Sequence, residues 1–450
     1  MNDFFHKLYT CYKTMVFFKQ ILIIFIFSCL TYFSKGQSAL SLQDAIKTGL
    51  EKNYAVLIEK NKQEITKIQN NSGNSGISPT ISLNSNINLA NLNSYQEFST
   101  GAIQERNGAQ SNITNASLNL GWMVFDGFKM FAVKKRLSLT EQMSALQLKE
   151  QMENTVYDII YAYYSIVKIN QLLQAAKQNL KIYEERKKIS NLKFEIGSDS
   201  KVDVLLSQSN CNKAKSNIIQ LEIQLLNAKT KLNDLLSNPT DNDFITSDTI
   251  IINYTPQLDN LKKEASSSNT SILMSLQQEQ IIMQSVKESK SMSLPFIQLN
   301  AAYNFTRSQS QAGFVFLNRQ AGINTGISAG WLLFNGTKNM GLVKEKHILF
   351  LNQKYMTNQI QQTVDAQVYN QYKTYMFHQQ SLKLEQENLI DSKELLNVSI
   401  ERYKVGKTNL LETIEAQKNL EDAQTRFYEA LFAMKMAETS LLRANGSLVQ

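Results

Sequence analysis

Gly121-Trp122-Met123-Val124-Phe125-Asp126-Gly127-Phe128-Lys129 reads as a strand end, a turn and a helix start. The chain repeats it 209 residues later as Gly330-Trp331-Leu332-Leu333-Phe334-Asn335-Gly336-Thr337-Lys338. Asp126 and Asn335 stand where a helix takes its N-cap. Working outward, Phe194-Glu195-Ile196-Gly197 returns as Tyr403-Lys404-Val405-Gly406 at the same offset, as do Asp203 with Glu412, Gln208 with Gln417 and Asn210 with Asn419. Upstream, Asn53 and Pro79 match Asn269 and Pro295 at an offset of 216. The 450 residues therefore read as an internal two-fold sequence repeat, 37–237 and 257–450, joined by a connector over 238–256.

Each half predicts one long helix, over 128–196 and 337–405, closed by a glycine stop at Gly197 and Gly406. At 1.5 Å per residue each runs about 100 Å, longer than an ordinary domain is wide. In the second, Val368, Tyr375, Leu382, Leu389, Leu396 and Tyr403 recur every seven residues. The first places Ile159, Ile166, Leu173, Leu180 and Phe194 in the matching series, with Lys187 the exception. A seven-residue apolar period means side-by-side packing of coiled-coil type. Shorter helices over 53–78 and 200–236, and over 269–294 and 409–445, fit end to end against the long ones, giving four helical columns. The four prolines all fall at junctions of this scheme, none inside a predicted helix.

Four segments alternate with period two: Thr80 to Leu92, Ile113 to Phe125, Phe296 to Phe305 and Ile323 to Phe334, forming hairpins over 80–125 and 296–334. None carries a charge. One face holds Ile81, Leu83, Ile87, Leu118, Leu120, Leu299, Tyr303 and Ile327; the other holds Ser82, Asn84, Asn86, Asn115, Asn119, Asn300 and Asn304. Alternation alone fits a half-buried soluble sheet or a transmembrane barrel with water inside. The only tryptophans, Trp122 and Trp331, sit at equivalent places near the helix end of each hairpin, where a membrane-interface girdle is expected. Four strands cannot close a barrel, so more than one copy must share it.

Lys13 and Lys19 precede the apolar run Ile21 to Leu30, and Ser34-Lys35-Gly36 follows, the order of a signal peptide over 1–36, with Met15 an alternative start. An exported chain favours the lipid reading of the strands. Residues before Cys29 do not form a lipoprotein site. Cys11 also lies in the leader, which leaves Cys211 alone and no intrachain disulfide possible. The net charge of +8 is spread along the chain without a basic run, so no nucleic-acid partner is expected. Beyond His6 in the leader, His347 and His378 sit on a predicted long helix without a ligand motif, so no metal, cofactor or enzyme activity is expected.

These residues resemble the outer-membrane factor family, the TolC-like outer-membrane efflux proteins. The likeness covers nearly the whole mature chain: the duplicated halves, Asn53 and Asn269, the hairpin-opening prolines, both turns after the tryptophan strands, and a tip signature at Tyr403, Gly406, Leu411, Glu412, Ala416 and Gln417. It implies a mainly α fold with transmembrane β structure, a long-helix α-barrel plus a 12-stranded β-barrel shared by a homotrimer in the Gram-negative outer membrane, extending into the periplasm. It further implies a periplasmic adaptor (membrane fusion) protein docking at Ile196, Gly197, Val405 and Gly406, and an inner-membrane pump driven by protons or ATP. Glu412 and Glu415 match the carboxylates that ring the periplasmic aperture, while the family's tip arginine is Thr408 here; Asp199 and Asp203 belong to the first-half tip. The function implied is passive exit of small toxic compounds, or of polypeptides in type I secretion. The alternative is a periplasmic coiled-coil scaffold with a soluble β-sheet.

Overall fold

A computed structural model describes residues 39–198, 200–246, 249–312 and 315–449. The leader expected over 1–36, with His6, Cys11 and Cys29, and Asp199 at the first tip lie outside the described residues. In chain order the elements are β1 (Ala39–Leu40), α1 (Leu42–Lys52), α2 (Tyr54–Gln69), β2 (Thr80–Glu97), β3 (Ile103–Phe125), α3 (Lys129–Glu195), α4 (Lys201–Leu235), β4 (Ile245–Thr246), α5 (Leu258–Ser268), α6 (Thr270–Ser291), β5 (Phe296–Ser310), β6 (Leu317–Gly330), α7 (Lys338–Lys404) and α8 (Leu410–Ala444). No described helix is long and apolar enough to cross a membrane.

Two compact units share these elements. One comprises residues up to Asn53, Val156–Asn253 and Phe377–Met436; the other comprises Tyr54–Thr155, Tyr254–Met376 and Ala437–Gln450. Each long helix, at 67 residues, contributes to both.

The second unit holds the antiparallel sheet, in the order β2-β3-β5-β6. Its ladder extends beyond the expected strands, to Glu97 on β2, Ile103 on β3, Ser310 on β5 and Leu317 on β6, and takes in Glu97, Glu105, Arg106, Arg307 and Arg319. Paired backbone satisfies itself whether or not the side chains are buried, so alternation of apolar residues underestimates strand length. At the other end β6 stops at Gly330, short of the expected Phe334, because its partner β5 begins opposite it at Phe296.

The helix expected over 53–78 stops at Gln69. Asn71 Oδ1 accepts from the Asn74 amide at 2.8 Å and Asn74 Nδ2 donates to Gln69 O at 2.9 Å, so local side-chain bonds outcompete another helical turn. Asn53 and Asn269 sit between helices in extended conformation. Asn53 Nδ2 donates to Leu235 O and Asn269 Nδ2 to Ala444 O, each at 2.9 Å, pinning each break to the end of a 35-residue helix.

The long helices pack along their seven-residue seams. Val368, Tyr375, Leu396 and Tyr403 are buried on α7. On α3 the seam changes register: Ile159, Ile166 and Leu173 are buried, but beyond them Asn179 and Arg186 replace Leu180 and Lys187, and Phe194 is exposed. The buried line thus steps back by one residue, onto the side where Asn179 and Arg186 bond to Gln424 and Thr413 of α8. Asn179 then meets Gln424 of α8 through a 2.7 Å amide bond.

Candidate functional site

The sheet keeps its two chemistries on separate faces because the register aligns them across all four strands. Leu83, Leu118, Tyr303 and Ile323 form one row, and Asn84, Ser117, Asn304 and Gly322 the next. The apolar row is not packed against any layer among the described residues; Leu83 is 75% exposed. A contiguous apolar face of this extent marks a surface that another apolar phase covers. β2 and β6 are open edges, each with a line of backbone groups facing outward.

Trp122 and Trp331 occupy matching places at the helix end of this face. Trp122 Nε1 donates to Ile77 O at 2.9 Å and Trp331 Nε1 to Ser293 O at 3.0 Å, so each indole ties its strand to the segment that enters the sheet. An apolar ring with one satisfied polar atom suits the boundary between lipid and water. Asp126 and Asn335 act as caps from two residues before the true N-cap position. Phe128 and Thr337 hold that position with φ near +69° and +68°, and the two side chains reach the amides of Met130 at 2.9 Å and Asn339 at 3.3 Å.

At the other end of the long helices the two stops share one geometry. The Ser198 amide donates to Lys193 O at 2.8 Å and the Gly197 amide to Phe194 O at 3.0 Å; Lys407 and Gly406 repeat this with Arg402 O and Tyr403 O at 2.8 and 3.1 Å. This 6→1 and 5→2 pairing needs a left-handed residue, supplied by Gly197 (φ 77°) and Gly406 (φ 75°). The turns push Ile196 and Val405 outward, 79% and 67% exposed. Asp203 closes a capping box with Ser200, accepting from its amide at 3.1 Å.

Glu412 and Glu415 share a helix but not an environment. Glu412 Oε1 accepts from Arg402 Nη1 at 2.9 Å, and its other oxygen takes a short bond from the Thr408 hydroxyl. Glu415 is exposed and makes no ion pair among the described residues. Sequence reading did not find Arg402, nor Lys193, whose ammonium donates to Tyr403 O at 2.7 Å and lies 3.9 Å from that ring's centroid. Contacts across a turn and between helices leave no periodic trace.

Behind the turns lies a polar interior. Arg186 is 3% exposed, stacked on Tyr183 at 4.8 Å, with only a 3.4 Å bond from Nη1 to Thr413 O; Nε and Nη2 have no partner among the described residues. Burial lowers its pKa from the arginine value. Glu421 is pushed up by burial, against the bonds from Tyr183 and Gln417 that favour its ionised form. His347 and His378 both lie on α7, and no cluster of His, Cys, Asp or Glu among the described residues has metal-binding geometry. Cys211 is buried and free.

Comparison with known proteins bears on all of these features together. Residues 71–238 and 261–447 match the family model "Outer membrane efflux protein". The chain is 20% identical to the outer membrane protein TolC of Escherichia coli (strain K12) over 358 residues, 77% of this chain and 72% of that one. Its fold is similar to the Campylobacter jejuni CmeC outer membrane channel (TM-score 0.77, 14% identity, 90% and 86% of the two chains) and to VceC of Vibrio cholerae (0.74, 12%, 90% and 96%). The chain belongs to the outer membrane efflux protein family, whose members are outer-membrane channels and not enzymes.

Proposed function

We propose that this chain is one third of a passive exit duct. Three copies pair β2 of one with β6 of the next, so that 3 × 4 strands close a 12-stranded β-barrel and the helical columns of three chains close an α-barrel. The observation that carries this reading is the four-stranded sheet, whose segments nearest the helices have one apolar face and one uncharged polar face, and whose outer strands leave two edges unpaired among the described residues. In lipid each unpaired backbone group costs several kcal/mol, and closure with copies of the same sheet removes every edge at once.

In this reading residues 1–36 are the export signal, 37–237 and 257–450 are the two repeats around the 238–256 connector, and Trp122 and Trp331 sit at the periplasmic side of the membrane. An adaptor docks on the turns at Ile196, Gly197, Val405 and Gly406, an inner-membrane pump driven by protons or ATP supplies the energy, and Glu412 and Glu415 face the aperture. Cargo is small toxic compounds or, in a type I secretion system, polypeptides. A soluble coiled-coil scaffold is left without an observation in its favour, since its sheet would expose the Leu83 to Ile323 row to water. Detergent-solubilised protein should carry the mass of three chains and conduct ions in planar bilayers. A monomer released by osmotic shock, with no conductance, would overturn the duct.

A further inference from the structure

Where β3 gives way to α3, a groove of about 460 Å³ is lined by Phe128, Phe131, Lys135, Lys287, Lys290 and Leu294, with no acidic residue in its wall. A bulge between Met123 and Phe125 makes Phe125 pair with Ile297, next to the Trp122–Leu299 pair, and so places Phe125 on the apolar face. From there the rings continue onto the helix: Phe125 and Phe128 meet edge-on at 5.0 Å, and Phe128 and Phe131 follow at 6.4 Å. Phe128 and Phe131 are both exposed. The apolar face thus runs into the groove, and three ammonium groups border it.

None of these ammonium groups has an ion pair or hydrogen bond among the described residues, whereas the nearby Arg136 and Glu288 neutralise each other at 2.5 Å. The groove stands beside β3 and β5, the inner strands, away from the edges that another copy would cover. In the other half the positions matching Lys287, Lys290 and Leu294 are Asn71, Asn74 and Ser78, and those matching Phe128 and Phe131 are Thr337 and Met340. The combination of rings and lysines occurs once per chain.

We propose that this groove seats the phosphate headgroup of an anionic glycerophospholipid from the leaflet nearest the helices. Its acyl chains lie along Phe125 and Phe128, and its phosphate lies among Lys135, Lys287 and Lys290. Lysine stems cover apolar surface while their heads stay at the water boundary, and a basic pocket there selects anionic lipid. The proposal rests on the membrane reading of the sheet.

The test is native mass spectrometry of the full chain in mild detergent, titrated with phosphatidylglycerol or with phosphatidylethanolamine of the same acyl chains. One phosphatidylglycerol per chain should be retained, about tenfold or more over phosphatidylethanolamine. K135Q/K287Q/K290Q should abolish the preference and K262Q/K263Q should leave it intact. Heat-modifiable migration identifies folded variants, and the single variants K287Q and K290Q should each weaken retention if the triple variant misfolds. Equal retention of the two lipids, unchanged retention by the lysine variants, or displacement by millimolar inorganic phosphate would overturn the proposal. A wild-type chain found in the soluble fraction before lipid is added would instead remove the membrane reading, and this proposal with it.

Discussion

Glu153 shows how one buried carboxyl sets a pH dependence. It is buried on α3, accepts from the Thr270 hydroxyl at 3.0 and 3.1 Å, and has Lys149 at 3.9 Å. Burial outweighs these favourable contacts and raises its pKa above the usual 4.5. A carboxyl with a raised folded pKa holds its proton more tightly in the folded state, so stability falls as pH rises from 4.5 through that raised value. Glu153→Gln keeps a hydrogen-bond acceptor for Thr270 and loses the charge. Thermal unfolding from pH 4.5 to 7.5 should show the variant gaining on the wild type as pH rises, with the whole gain falling above pH 4.5. A constant difference across that range would mean that Glu153 does not titrate as described. The pair at the second tip separates in the same way. Arg402 already meets the charge of Glu412, so Glu415→Ala should reduce cation selectivity in planar bilayers more than Glu412→Ala does. Equal effects would place both carboxylates at the pore.

Among the elements, the helix stops are the most informative. Gly197 and Gly406 recur at a fixed offset because only a residue that tolerates positive φ ends a helix with this bonding, and the same turn lifts Ile196 and Val405 into solvent. If an adaptor docks there, Ile196→Asp with Val405→Asp should abolish in-cell cross-linking to it while leaving trimer mass and thermal unfolding unchanged, since neither side chain is packed. Retained cross-linking would move the docking surface elsewhere. The stops were legible as glycines after an apolar series, and the strands as alternation. The register change on α3 was not: Asn179 and Arg186 stand outside the seven-residue apolar series, and their contacts with Gln424 and Thr413 of α8 bury them. Gln69 was equally hidden as a helix end, since the Asn71 and Asn74 bonds that stop the helix depend on turn geometry rather than on apolar spacing.

At the scale of the whole molecule, the sheet is the part that cannot stand alone. Its polar rows of Asn and Ser suit a water-filled lumen that discriminates by size and charge, and in the proposed duct its two edges pair with neighbouring copies. By itself the sequence determined the family, the strand faces, the long helices and the matched tryptophans, because periodicity, turn chemistry and a repeated spacing are properties of the linear chain. Only the tertiary structure decided which partners meet: the indole bonds of Trp122 and Trp331, the Arg402–Glu412 pair, the Lys193 bond to Tyr403, the buried Arg186, and the lysines gathered around Phe128 and Phe131. Each joins residues through helix crossings, turns or a strand bulge, and such distances are set by packing rather than by position in the chain.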